Sequence, residues 1–160
     1  MKKKIYYMKR IIMYQAYAKK MRSTIENLIN KNIINDKILQ KFPHGCCSDS
    51  SVLLAELLYR NNISCQIVKG KYYFDNKLQT HAWIVVEGKI IIDVIGDQFS
   101  DNNDLLNYNQ KVYVGELDEF HKLFDNEDIS VEDYLGIEMF DDRTKSRLKE
   151  LYNKIDDHIK

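Results

Sequence analysis

A thiol, an imidazole and a carboxylate, in that chain order at Cys47, His81 and Asp93, are the residues of this sequence best placed to do chemistry. Attack of sulfur on a carbonyl needs the thiolate, and a free cysteine with a pKa of about 8.5 holds little of it at neutral pH. A helix N-terminus and a neighbouring imidazolium both lower that value. Cys47 follows Gly45 and opens an apolar run, Val52, Leu53, Leu54, Leu57 and Leu58, that predicts a buried helix over Cys47–Arg60. Ser48, Asp49 and Ser50 offer capping oxygens at its start. The N–H of Cys47 would then be free to join an oxyanion hole.

His81 lies in a strand-like run, Thr80 to Glu87, and Asp93 in an otherwise apolar one, Lys89 to Ile95. A carboxylate among isoleucines and valines is costly unless paired. The two runs meet at Glu87-Gly88 and predict a hairpin. Side chains alternate faces along a strand, so a two-residue turn would put His81 and Asp93 on opposite faces. A three-residue loop of Val86-Glu87-Gly88 places them directly opposite each other, with Gly88 left-handed. A catalytic triad therefore requires an odd loop or a bulge.

Cysteine at a helix start, histidine on a strand and aspartate on the next is an order that resembles the papain-like and transglutaminase-like cysteine peptidase superfamily. Gly45-Cys46-Cys47 is similar to its G-x-C nucleophile motif, which favours Cys47 over Cys46. The stretch His81-Ala82-Trp83 through Gly88, followed by Asp93, resembles the H-A-W-x-E-x-x-G segment of the transglutaminase-like leader peptidases of lasso-peptide maturation. The likeness covers about residues 40–100. It implies Cys47 as nucleophile, His81 as base and Asp93 as orienting acid, acting on a peptide or protein amide through a thioester and needing no cofactor or metal. It also implies an oxyanion glutamine before the nucleophile, for which Gln40 is the candidate, the alternative being a solvated loop residue. Cys46 is a further substrate-side candidate beside a simple packing role, and Trp83 is either core or a wall of the substrate cleft. Ser48 stands where papain and the animal transglutaminases carry Trp.

The elements that must hold these residues read as α+β. Ile5 to Asn32 is helical, in one or two pieces, and Phe42-Pro43-His44-Gly45 is a loop signal. The nucleophile helix is followed by strand-like runs Ser64–Phe74, Thr80–Glu87 and Lys89–Ile95, with turns at Asp75-Asn76 and Glu87-Gly88. Lys111–Gly115 is a fourth short strand. Leu117–Phe124, Val131–Met139 and Arg143–Ile159 read as helices. Helices, then strands, then helices predict N-terminal helices packed on an antiparallel sheet and a helical C-terminus, in one domain over residues 1–160.

Composition sets the remaining bounds. Cys46, Cys47 and Cys65 are an odd number of thiols with no secretory pattern, so a disulfide framework is not expected. The basic start is interrupted by Lys9, Arg10, Lys19 and Lys20, and is read as mature, cytoplasmic sequence with no membrane partner. Residues 1–22 hold eight Lys/Arg and no acid; Asp125–Asp142 holds eight acids and no base. Both are read as solvated faces, and no groove-reading motif accompanies the charge to indicate nucleic acid. A zinc set of His44, Cys46, Cys47 and His81 is disfavoured by its adjacent cysteines. Asp97 is the rival third triad member, more simply a loop cap, and neither His121 nor His158 has a neighbour that implies a role. The alternative function is a catalytically silent module that keeps the fold and binds a protein or nucleic acid.

Overall fold

The computed structural model describes residues 1–159. Helix α1, Lys2–Asn30, is a single piece. It buries Tyr14, Ala18, Met21, Arg22, Thr24, Ile25 and Leu28 along its second half, while Tyr7 and Ile11 of the first half pack only partly against the core. Helix α2 runs Cys47–Arg60, as its apolar pattern predicts, and every residue from Ser50 to Leu58 is buried. Its cap differs from expectation. Cys46 is the N-cap and no side chain caps the helix. Ser48, Asp49 and Ser50 fall inside the first turn, where Asp49 is taken by Arg147 and the Ser50 hydroxyl donates to the Cys46 sulfur at 3.6 Å.

Strands β1, Cys65–Phe74, and β2, Lys77–Val86, form a long hairpin closed by Asp75-Asn76. Both turn residues have positive φ, 44° and 60°, the geometry of a type I′ turn. Strand β3 is Ile90–Asp93 and β4 is Tyr113–Gly115. Between β4 and the next strand lies α3, a single turn at Glu119–Lys122. The expected helix over Val131–Met139 is instead β5, Ser130–Asp133, followed by a 3-10 turn at Ile137–Met139. The vacant edge of β1 offers this segment ladder hydrogen bonds, and pairing with Gln66–Lys69 overrides its local pattern. Helix α4, Asp142–Asp156, closes the fold. The sheet is antiparallel throughout, in the order β4-β3-β2-β1-β5.

One face of the sheet, with Ile67, Ile84, Val86, Ile90 and Ile92, packs on the buried sides of α1, α2 and α4. The other, with Val68, Trp83 and Ile91, is covered by Phe99, Leu105, Phe120 and Phe124 from the chain between β3 and β5. Gly70 permits this second layer: a Cβ there would lie 2.5 Å from the Cβ of Phe124. No helix among the described residues is long and apolar enough to cross a membrane. The acidic stretch is partly paired, with Glu138 and Asp142 meeting Lys145. The basic head instead reaches Glu87 through Arg10.

Candidate active site

The length of the β2–β3 loop sets whether His81 and Asp93 share a face of the sheet. Ile84 pairs with Ile92 and Val86 with Ile90, so the loop is Glu87-Gly88-Lys89. It has three residues, as the triad requires, but begins one residue later than expected. Glu87 and Gly88 both have positive φ, 55° and 70°. In this register Asp93 stands opposite Trp83, two residues from His81 on the same face. The pair therefore meets diagonally rather than head-on.

The meeting is close. His81 Nε2 lies 2.7 Å from Asp93 Oδ2, with both side chains sealed from solvent. Asp93 Oδ1 accepts the N–H of Ile95 at 3.0 Å. Burial works against charge on either group. For His81 the charge and hydrogen bond of Asp93, with the sulfur of Cys47, outweigh it and raise the pKa to about 9. For Asp93 the two facing imidazoles outweigh burial and hold the carboxyl well below the usual carboxylate range.

Nδ1 of His81 remains for chemistry. The Gln98 side-chain amide lies 3.2 Å from it, and in the neutral ring, with the proton on Nε2 toward Asp93, Nδ1 can accept from that amide. Cys47 and His81 line one cleft of about 370 Å³ with Ser48, Gly70 and Thr80. Cys47, Ser48 and Thr80 also line a second cleft, of about 440 Å³, with Gly45, Gln79 and Gln98. Cys47, half-buried, thus lies where the two clefts meet. Gly45 makes the approach to α2 in a left-handed conformation, φ 66°. The first N–H groups of α2 have no partner within the helix and face the same end as the sulfur.

The other two thiols are unlike Cys47. Cys46 lines the second cleft, but its side chain is buried, and burial pushes its pKa up to about 11. Burial pushes Cys65, in the core beneath β1, up to about 12.

The remaining expectations are displaced. Gln40 is exposed, bonded to Asn35, and lines neither cleft, because the 3-10 turn Leu39–Lys41 aims it outward. Gln98 occupies the cleft instead. Trp83 lines neither of these clefts: it alternates onto the second core, 5.6 Å from the ring of His81 on its buried side. Asp97 is bound by Arg22, whose Nη1 and Nη2 donate to Oδ1 at 2.6 Å and Oδ2 at 2.9 Å. The same guanidinium donates to the carbonyls of Val94 and Lys111. Arg22 thereby fixes the loop that carries Gln98.

His121, which has no neighbour in sequence that implies a role, joins this cluster in the fold. It is fully buried, with Nε2 3.1 Å from Asp93 Oδ2 and Nδ1 2.6 Å from Asp118 Oδ1. Burial disfavours its charge, but the two carboxylates outweigh burial and raise its pKa. Asp118 is the N-cap of α3, and its Oδ2 accepts the hydroxyl of Tyr108 at 2.9 Å. The signal was available in part: Asp118-x-x-His121 sets an N-cap three residues before a histidine flanked by Phe120 and Phe124. Its second partner, Asp93, is 28 residues away and not legible from spacing.

His81, Asp93 and His121 are also a grouping that could hold a metal ion, their ligand atoms lying within 4.8 Å of one another. Two ligands of a tetrahedral zinc at about 2.0 Å sit roughly 3.3 Å apart. The separations of 2.7 and 3.1 Å are those of hydrogen bonds, so the three residues fit direct contact better than a shared ion. His44, from the earlier zinc set, is exposed and outside this grouping. No protein-family model, curated protein or solved structure matches this chain.

Proposed function

We propose that this protein is a cysteine-dependent amide hydrolase or acyl transferase, with Cys47 as nucleophile, His81 as general base and acid, and Asp93 as the orienting carboxylate. The observation that carries this reading is the imidazole of His81, held through Nε2 by a buried carboxylate and presenting Nδ1 to the cleft of a cysteine at a helix N-terminus. The α2 N-terminus and the His81 imidazolium both favour negative charge on the sulfur. The thiolate attacks a carboxamide carbon, forming the C–S bond as the π electrons move to oxygen. The free N–H of Cys47 and the amide of Gln98 are the donors in reach of the cleft for that oxyanion. Collapse expels the amine, which takes the proton from Nδ1 of His81. Water or a second amine, deprotonated by His81, then resolves the thioester.

Two clefts joining at the sulfur suit a chain that passes across Cys47, so the substrate class proposed is a peptide or protein amide. A papain-like or transglutaminase-like ancestry is consistent with the order of the three residues. The test is limiting iodoacetamide at neutral pH, followed by mass mapping. Cys47 is expected to label at least tenfold faster than Cys46 or Cys65, and His81→Gln to remove most of that advantage. Slow, equal labelling of the three would instead favour the silent binding module.

A further inference from the structure

We propose that His121 is a positioning residue of this site: a buried imidazolium, fixed by Asp118, that shares the charge of Asp93 so that Asp93 orients His81 without trapping the proton on it. The inference rests on the Cys47–His81 reading and deepens it.

Donors and acceptors fix the charge of the His121 ring. Nε2 of His121 meets a carboxylate oxygen of Asp93, and Nδ1 meets one of Asp118. Carboxylates only accept, so both ring nitrogens must donate, and a ring donating from both is an imidazolium. Tyr108 donates to Asp118 and is no alternative source of a proton for the ring. The titratable groups facing His121 are Asp93 from β3, Asp118 at the start of α3, His81 from β2 with ring centroids 6.1 Å apart, Tyr108 at 5.8 Å, and Tyr113 from β4 at 5.4 Å. Trp83 and Phe120 complete the apolar wall.

Charge order then decides the effect. The relay runs Asp118, His121, Asp93, His81, with signs alternating from the acid end. Seen from His81, the positive end of the Asp118–His121 pair is the nearer. It therefore opposes a positive charge on His81 and offsets part of what Asp93 adds. A general acid must release its proton to the departing amine, and a histidine held by an unshielded buried carboxylate releases it poorly. His121 sets that balance without touching the cleft.

The test is an NMR titration of the four histidine rings in the intact chain. In the wild type His121 is expected to keep its proton to higher pH than an ordinary histidine. Asp118→Asn preserves a hydrogen-bonding partner at Nδ1 but removes the reason for the charge. It should return His121 toward an ordinary titration and raise the His81 midpoint by on the order of one pH unit. Asp118→Glu should restore both midpoints, which loss of packing would not do. If Asp118→Asn does not fold, His121→Gln removes the same charge and should raise the His81 midpoint in the same direction. A neutral His121 at pH 7 in the wild type, or a His81 midpoint that stays or falls in the uncharged variants, overturns the proposal. Cys47→Ser separates the two readings: if it leaves the His81 midpoint unmoved, the thiol–imidazole pairing fails whatever Asp118→Asn does.

Discussion

At the residue scale, the burial of Asp93 between two imidazoles makes stability depend on pH. His81 titrates at about 9 in the folded chain, against an ordinary 6.5. A raised pKa means the native state holds its proton more tightly, so this contribution is complete below about 6.5 and is lost as pH rises to about 9. Asp93 lies below its ordinary 3.8, so its contribution is complete above that value and is lost as pH falls further. The two describe one interaction and are not additive. Asp36, held down to about 2 mainly by hydrogen bonds from Arg147, acts in the same sense as Asp93. Thermal unfolding should therefore show its highest Tm between about pH 4 and 6.5, with decline on both sides. A Tm that climbs steadily from pH 6.5 to 9 would contradict the pairing.

At the element scale, the site depends on how firmly α1 holds the segment after β3. Arg22 is 5 % exposed and bonds Asp97, Val94 and Lys111 at once, joining the first helix to three points of the loop layer. Arg22→Met leaves Asp97 partly buried and uncompensated, and should cost about 3 kcal/mol in urea denaturation. It should also slow alkylation of Cys47, since Gln98 is the next residue along. A loss of stability with Cys47 reactivity unchanged would show that the loop is held by packing alone.

Legibility in the sequence divides along the same line. Helix α2 and the β1–β2 hairpin were readable because their signals are local: an unbroken apolar face in one, Asp75-Asn76 between alternating residues in the other. The odd loop at Glu87-Gly88-Lys89 followed from one demand, that His81 and Asp93 share a face. Its start was displaced because parity does not fix register. Ser130–Asp133 misled because an edge strand owes its state to the strand beside it, here β1. Gln98 and His121 escaped for the same reason: each acquires its role from residues that only the folded sheet brings near.

At the scale of the whole molecule, the first turn of α2 is tied to the last helix. Arg147 donates to Asp36 at 2.8 and 2.7 Å and to Asp49 at 2.5 Å, so α4 fastens both the loop before Cys47 and the turn that carries it. Arg147→Met should lower stability by about 2 kcal/mol and hasten amide hydrogen exchange at Ser48 to Ser51. Unchanged exchange there would mean that α2 holds its own N-terminus.

That tie has a bearing on the life of the chain before it is finished. Arg147 follows Asp49 by 98 residues, so a ribosome has exposed the thiol, the imidazole and their carboxylate well before it supplies the fastening. In a growing chain the first turn of α2 is therefore without its ion-pair anchor until α4 has emerged and docked.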